Sequence, residues 1–181
     1  FLRLYRSTNV EISYNEFTEI YHQGPDIFWR ALYVFRAGGT DKVSIHHSEF
    51  HDIGYDTADS GAFGTSLYVI RFGYEGTSPH NISLHNILVY NIYNKTDCIR
   101  PSSNPDPQNA LGVFSLSNIN SFDWVGDFYL YNITVDDIRH ADTPSSTTVN
   151  AGHVNGGYFG MVGGDDIVWK NNIVSNIIGT D

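Results

Sequence analysis

The sequence predicts an all-β protein, a right-handed parallel β-helix of about five coils with long loops on one side. Three observations lead to this prediction: a short apolar pattern that recurs five times, an apolar strand before each copy, and turn-rich segments between them. The composition agrees, because 12 Tyr, 11 Phe and 17 Gly among 181 residues are typical of strands joined by turns. With 41% hydrophobic residues, positions 1–181 are expected to form one domain around one core.

The recurring pattern places apolar residues at offsets 0, 2, 7 and 10 from its first residue. Its five copies start at Val10, Val43, Ile82, Phe128 and Ile167. Offsets 0 and 2 lie on one side of a strand, because successive side chains point to opposite faces. The polar residues that follow are expected to turn a corner, so that offsets 7 and 10 return to the same core. Stacked copies would then pair in parallel, about 4.8 Å apart.

A second apolar strand is predicted before each copy, at 1–6, 31–36, 66–71, 110–115 and 157–162. These strands are apolar on both faces, so loops or a partner must cover their outer side. The first three end in arginine, which predicts a column of Arg6, Arg36 and Arg71 on stacked strands. Because like charges repel at such spacing, the column must be exposed, paired with acidic groups or occupied by an anion.

The segments between these elements are longer than a minimal coil needs. They are rich in Gly, Pro, Asp and Ser, and are expected to form loops at 22–30, 54–65, 73–80, 94–109, 117–126 and 140–156. Insertions in a repeat protein gather on one face, so local function is expected there. The sequence starts and stops within strand patterns, which predicts a segment of a longer chain.

Two polar positions of the repeat are predicted to stack at a corner. Offset 4 carries Tyr14, His47, Asn86, Asn132 and Asn171. Offset 5 carries Asn15, Ser48, Ile87, Ile133 and Asn172. Stacked asparagines can hydrogen-bond from one copy to the next, and this structural role is favoured for Asn86 and Asn171.

Four histidines in two neighbouring copies raise the question of a metal site: His46, His47, His51 and His85. Adjacent residues of a strand point in different directions, so His46 and His47 are not expected to share a metal. His46 and His85 occupy the same offset and are expected to stack. We therefore predict no metal ligands among these histidines.

The net charge and the composition argue against several kinds of partner and binding site. The net charge of −10 disfavours nucleic acid as a partner. No apolar run approaches the roughly 18 residues of a membrane span. Cys98 is the only cysteine, so neither an intrachain disulfide nor a cysteine zinc cluster is expected. No cofactor is predicted, although the pairs Asp136-Asp137 and Asp165-Asp166 leave Ca²⁺ open beside their interpretation as solvated carboxylates.

The repeat resembles the parallel β-helix repeats of the pectate-lyase-like superfamily over nearly the whole chain. The resemblance implies the fold and leaves the activity open, because the superfamily holds polysaccharide lyases, glycoside hydrolases, phage tailspikes, adhesins and structural proteins.

The segment FHDIGYDTADSGAFGTSLYV, at 50–69, carries a more specific resemblance. It is similar to an hDxG…DxGA[Phe/Tyr] segment of some β-helical glycoside hydrolases, with matches at His51, Asp52, Gly54, Asp59, Gly61, Ala62 and Phe63. The resemblance implies that Asp59 is a catalytic carboxylate, with Asp56 or Glu75 as the second that glycosidic hydrolysis needs. The alternative is an Asp-Ser-Gly turn capped by Asp59.

Whether the chain is an enzyme stays open. If it is, a glycoside hydrolase is favoured over a lyase, because Lys42, Lys95 and Lys170 lie in no lyase motif. The substrate-binding candidates are Arg71, Arg36, Trp29 and Tyr74, the last two because aromatic rings stack on sugars.

The sequence thus predicts an extracellular or cell-surface protein whose partner is a polysaccharide or glycan. Sequons at Asn94, Asn81 and Asn132 support this location as candidate N-glycosylation sites. The alternative is a structural or adhesive module of a fibrous assembly. Such a module would self-associate end to end or laterally, because uncovered strand edges pair readily.

Overall fold

The computed structural model describes residues 2–22, 30–55, 65–72, 80–94, 110–116, 127–140, 148–150 and 167–178. These ranges contain strands and no helix, which confirms the all-β prediction. The strands are β1 (Leu2–Tyr5), β2 (Thr8–Ser13), β3 (Glu16–His22), β4 (Arg30–Gly38), β5 (Asp41–Tyr55), β6 (Thr65–Phe72), β7 (His80–Asn94), β8 (Ala110–Leu116), β9 (Phe128–His140), β10 (Thr148–Asn150), β11 (Ile167–Lys170), β12 (Ile173–Val174) and β13 (Ile177–Ile178).

The strands form two sheets in which all neighbours are parallel. The smaller sheet has the order β1-β4-β6-β8-β10. The larger has the order β11-β9-β7-β5-β2, with β3 also on β5, and β12 and β13 on β9. The chain passes from one sheet to the other and back, as parallel pairing requires.

The register confirms the predicted repeat. Val10 pairs with Val43, which pairs with Ile82, and the column continues through Phe128 to Ile167. The residues at offsets 7 and 10 align in the same way, as in the column from Ile20 to Ile177. Equivalent residues of all five copies therefore occupy equivalent places in the larger sheet.

A residue in the left-handed region at every fifth position explains the apolar spacing. At offset 4, φ is 47–55° in all five copies, and at offset 9 it is 50–55°. The offset 9 residues are Glu19, Asp52, Asn91, Asp137 and Asn176. Each such residue bends the strand and restarts the alternation of inward and outward side chains. Inward positions therefore fall at offsets 0, 2, 5, 7 and 10.

The prediction of a stacked polar column at offset 5 is wrong for the three central copies, because the bend at offset 4 turns the next side chain inward. Ser48, Ile87 and Ile133 are 1%, 2% and 1% exposed. The Ser48 hydroxyl accepts the Asn15 N–H at 3.3 Å and donates to the carbonyl of His46 at 2.9 Å. Ser48 thus satisfies backbone groups beside the bend, and so does Asn172, which accepts the Ile133 N–H at 2.9 Å and donates to the Leu130 carbonyl at 3.0 Å.

The core lies between the two sheets. Phe72 of the smaller sheet contacts Phe35 beside it and Phe128 of the larger sheet, with ring centroids 5.6 and 6.5 Å apart. Within the larger sheet, the Phe17 ring stacks on the Phe50 ring at 4.6 Å. These aromatic contacts join successive copies as well as the two sheets.

Both faces of the smaller sheet are covered, as predicted. Consecutive residues of its central strands are buried, among them Val69 and Ile70 at 0% exposure. Its strands β1, β4, β6 and β8 lie where the sequence predicted them. The strand that pairs with β8 is β10, and the predicted strand 157–162 lies outside the described residues.

The predicted arginine column has a different first member. Arg3 pairs with Arg36, which pairs with Arg71. Arg6 lies beyond the end of β1, at a bend with φ of 49°, where its N–H donates to the carbonyl of Gly38 at 2.9 Å. The bend removes Arg6 from the strand and so from the column.

Because a left-handed backbone strains any residue with a Cβ, Lys42→Gly should stabilise the chain. Lys42 is exposed and has φ of 54°. Relief of strain worth about 1–2 kcal/mol exceeds the entropy that glycine adds to the unfolded chain, so we expect a net gain of up to about 1 kcal/mol in the free energy of unfolding. Urea denaturation measures it.

Lys170→Gly is the matched control, because Lys170 is exposed but lies in a regular strand. It should lower the free energy of unfolding by about 0.5–1 kcal/mol. Equal effects of the two substitutions would contradict the assigned bend.

Candidate functional site

Five of the seven predicted catalytic and substrate-binding residues lie outside the described residues: Asp56, Asp59, Glu75, Trp29 and Tyr74. Arg36 and Arg71 are described, on neighbouring strands of the smaller sheet. The Arg71 guanidinium lies 4.7 Å from the centre of the Tyr68 ring, a cation–π distance. The clusters described below lie instead on the outward face of the larger sheet.

A column of flat rings runs across this outward face at offset 3. The His46 and His85 rings stack 4.8 Å apart at 6°, which confirms the predicted stack. The Tyr131 ring continues the column 4.6 Å from His85 at 5°. In-register parallel pairing places one ring of each copy directly over the next.

An asparagine ladder runs beside the rings at offset 4, also as predicted. Asn132 donates its amide hydrogen to the Asn86 oxygen at 3.2 Å, and Asn171 donates to Asn132 at 3.4 Å. We use the name polar strip for His46, His47, His85, Asn86, Tyr131, Asn132 and Asn171.

The hydrogen bonds of the polar strip determine which imidazole nitrogens carry protons. The Asn86 oxygen accepts from Asn132, so its NH₂ group faces the histidines and donates to His47 Nε2 at 3.1 Å and His85 Nδ1 at 3.2 Å. His47 therefore carries its proton on Nδ1 and donates to His46 Nδ1 at 2.8 Å. His46 in turn donates from Nε2 to Glu11 at 3.1 Å.

Partial burial lowers the pKa of His85, and the neighbouring His46 and His47 add to the effect. The ring is therefore favoured in its neutral form near neutral pH. Together with the Tyr131 phenol and the asparagine amides, a neutral His85 offers hydrogen bonds without a fixed charge.

A second cluster holds His51 between two carboxylates. Its Nδ1 hydrogen-bonds to Asp52 at 2.6 Å and its Nε2 to Glu16 at 2.8 Å. Its ring stacks on Tyr90, 4.6 Å away at 6°. Asn91 donates to Asp52 from the adjacent copy. The bends at offset 9 bring these residues of three copies together.

The two carboxylates favour the protonated form of His51. Burial opposes a charge on His51, but hydrogen bonds to Asp52 and Glu16 outweigh it and raise the pKa of His51 above 6.5. The same bond to His51, together with the one from Asn91, lowers the pKa of Asp52. An imidazolium between two carboxylates stabilises the folded chain.

This cluster does not have the geometry of a glycosidase. Hydrolysis needs two carboxyl groups about 5–10 Å apart with room for a sugar and a water. The His51 ring fills the space between Glu16 and Asp52. Gly54 also has a packing role, because a Cβ there would overlap the Tyr93 ring. The His51, Asp52 and Gly54 part of the hydrolase-like segment is thus explained by structure.

The acidic pair Asp136-Asp137 is engaged within the fold. Asp136 accepts hydrogen bonds from Ser175 and Asn176, each at 2.7 Å. Asp137 forms an ion pair with Arg139 at 2.6 Å. In the part of the chain that the structure describes, no group of three or more His, Cys, Asp or Glu side chains is arranged to hold a metal ion.

The sequons differ in their surroundings. Asn81 is exposed and donates to Asp41 at 2.8 Å. Asn132 is exposed, but its amide nitrogen belongs to the polar strip. Asn94 ends β7, and its side chain lies outside the described set.

The chain matches no protein-family model, no curated protein and no solved structure. Among the described residues, no helix is long and apolar enough to cross a membrane. Sequence reasoning missed Tyr90, Asn91 and Tyr131. It also missed two carboxylates, Glu11 and Glu16. Each bonds a histidine 35 positions later, a separation that reflects the 33-residue register plus a two-residue diagonal.

A histidine NMR titration should separate two rings by environment. We expect His51 to titrate above 6.5 and His85 below it, with the physical causes given above. Because folding raises the pKa of His51, its contribution to stability is present below about pH 6.5 and lost as pH rises through the folded value. Folding lowers the pKa of His85, so this ring reduces stability at acidic pH, and the reduction disappears as pH rises to about 6.5.

Asp52→Asn is the matched test, because it keeps the shape and removes the charge. The pKa of His51 should fall while that of His85 stays unchanged. Titration of His51 at or below 6.5 in the unmodified chain would contradict the ion-pair assignment.

Proposed function

We propose that the chain is part of an extracellular right-handed parallel β-helix of the pectate-lyase-like kind, and that it binds a polysaccharide. Three observations support the β-helix: two parallel sheets visited in turn, five copies in register, and bends at fixed offsets. Crossovers between parallel strands are right-handed in nearly all proteins, which supports the proposed hand.

The polar strip is the observation that carries the binding proposal. Along the stacking direction it presents imidazole, phenol and amide groups from one copy after another. The step between copies is about 4.8 Å, so an extended polymer would meet similar groups repeatedly. Sugars are recognised by such neutral hydrogen-bonding groups together with aromatic rings.

The charge of the protein favours a neutral or cationic glycan over an anionic one. The net charge is −10, and Glu11 lies at the edge of the polar strip, bonded to His46. A polyanion such as a polyuronate would be repelled, so the proposed ligand is a neutral or cationic polysaccharide. The three sequons support an extracellular setting.

Binding is proposed ahead of hydrolysis, because Glu16 and Asp52 are occupied by His51. A hydrolytic site at Asp59, with Asp56 or Glu75 as its partner, remains the proposal for catalysis. Activity towards a glycan panel that is lost in Asp59→Ala would support it.

Tyr131→Ala tests the binding proposal. It removes one ring of the polar strip, and we expect binding to the best ligand of a neutral-glycan panel to weaken by up to about tenfold, since an aromatic contact contributes about 0.5–1.5 kcal/mol beyond its buried area. Thr134→Ala is the matched control, because Thr134 lies on the same strand outside the polar strip. No glycan binding by the unmodified chain, or equal binding by both variants, would overturn the proposal.

A structural or adhesive module is the second candidate, and exposed apolar residues at the outer strands favour it. Val174 is 44% exposed, whereas its equivalent Val135 is 1% exposed, and Ile173 is 60% exposed. Tyr5 and Tyr21 at the opposite edge are 48% and 45% exposed. Concentration-dependent association in sedimentation velocity, without glycan binding, would favour this function.

A further inference from the structure

We propose that His46 and His47 form a binding site for a transition-metal ion with cis ligands at right angles, Cu²⁺ or Ni²⁺. The proposal does not rest on the glycan-binding function, although both histidines belong to the polar strip, and it does not involve the Asp136-Asp137 pair. It rests on the position of the two Nδ1 atoms and on Glu11, which hydrogen-bonds to the other ring nitrogen of His46.

The bend at His47 overturns the expectation that the two histidines point apart. Adjacent side chains of a regular strand point to opposite faces. His47 has φ of 47°, and this left-handed residue brings its ring to the same side as that of His46. The two Nδ1 atoms are 2.8 Å apart, and the rings are nearly perpendicular at 84°.

The 2.8 Å separation is that of the hydrogen bond between the two nitrogens, and a metal that takes the place of the proton without moving the rings apart must accept ligands this close. With metal–nitrogen bonds of about 2.0–2.1 Å, a 2.8 Å separation corresponds to an N–metal–N angle of about 85–90°. A tetrahedral Zn²⁺ would need nitrogens about 3.3 Å apart at the same bond length. Right-angled ligands are found in the square-planar and octahedral sites of Cu²⁺ and Ni²⁺.

Glu11 orients His46 as a ligand. It accepts the Nε2 proton at 3.1 Å, so the lone pair of Nδ1 points towards His47. A carboxylate on the second nitrogen of a metal-binding histidine is the usual outer-shell arrangement. The His85 ring, stacked 4.8 Å from His46, limits its rotation.

Metal binding moves the proton of His47 from one ring nitrogen to the other and releases none. In the metal-free chain His47 carries a proton on Nδ1, which it donates to His46. Because a neutral imidazole carries one N–H, this proton moves to Nε2 by exchange through solvent, and the freed Nδ1 lone pair then coordinates the metal. A proton on Nε2 requires the Asn86 amide, now donating at 3.1 Å, to turn its oxygen towards His47. Water completes the coordination, because His47 is exposed.

The test uses residues 1–181 without an affinity tag, titrated with Cu²⁺ in a weakly chelating buffer. We expect one tight equivalent and an axial EPR spectrum with hyperfine structure from two imidazole nitrogens. His46→Asn and His47→Asn should each weaken Cu²⁺ binding at least tenfold. Glu11→Gln should weaken it about tenfold through His46 alone. His80→Asn is the matched control and should bind like the unmodified chain.

The proposal is overturned if the His46→Asn/His47→Asn double variant keeps the same affinity and EPR spectrum, since the metal would then bind elsewhere. Circular dichroism establishes that each variant is folded. Asn86→Asp gives a test that does not depend on loss of binding. Its carboxylate accepts the His47 Nε2 proton, so Cu²⁺ affinity should rise, and an unchanged or lower affinity counts against the site.

Discussion

The left-handed residue at every fifth position is the constraint on which the rest of this structure depends. It occurs at offsets 4 and 9 of all five copies. Each occurrence restarts the alternation of the strand, so three successive short segments can all direct apolar residues to one core. Asparagine and aspartate occupy many of these positions because they tolerate this conformation better than other residues with a Cβ. The same bends produce the Asn86–Asn132–Asn171 ladder and the His46–His47 contact.

The parallel register places similar side chains of successive copies next to one another. Identical offsets lie side by side, so inward positions build an apolar core while outward positions build columns of rings and amides. The His51 cluster shows the consequence for charge. Carboxylates from neighbouring copies surround one imidazole and satisfy it, rather than leaving a reactive pair open to a substrate.

Much of the all-β architecture followed from spacing alone. The five starts, four of the preceding strands, the asparagine ladder and the His46–His85 stack agree with the structure. The failures share one cause. The predictions assumed regular strands. The ones that fail concern offset 5, Arg6 and the relation of His46 to His47, and each of these lies at or beside a left-handed residue. Glu11 and Glu16 were missed because their partners are diagonal to them across the copies, a relation that a linear pattern does not display.

The alternation between sheets also has a consequence for how the chain reaches this structure. Every strand pair joins residues far apart in sequence; Val10, for example, meets its partner only at Val43. No hairpin in the described strands offers an early local contact, because neighbours in each sheet are never consecutive. The loop-closure entropy of each turn must be overcome before the stacking that offsets it can form. Folding should therefore be slow for a chain of this size, and it should proceed by adding copies to a pair that is already in register.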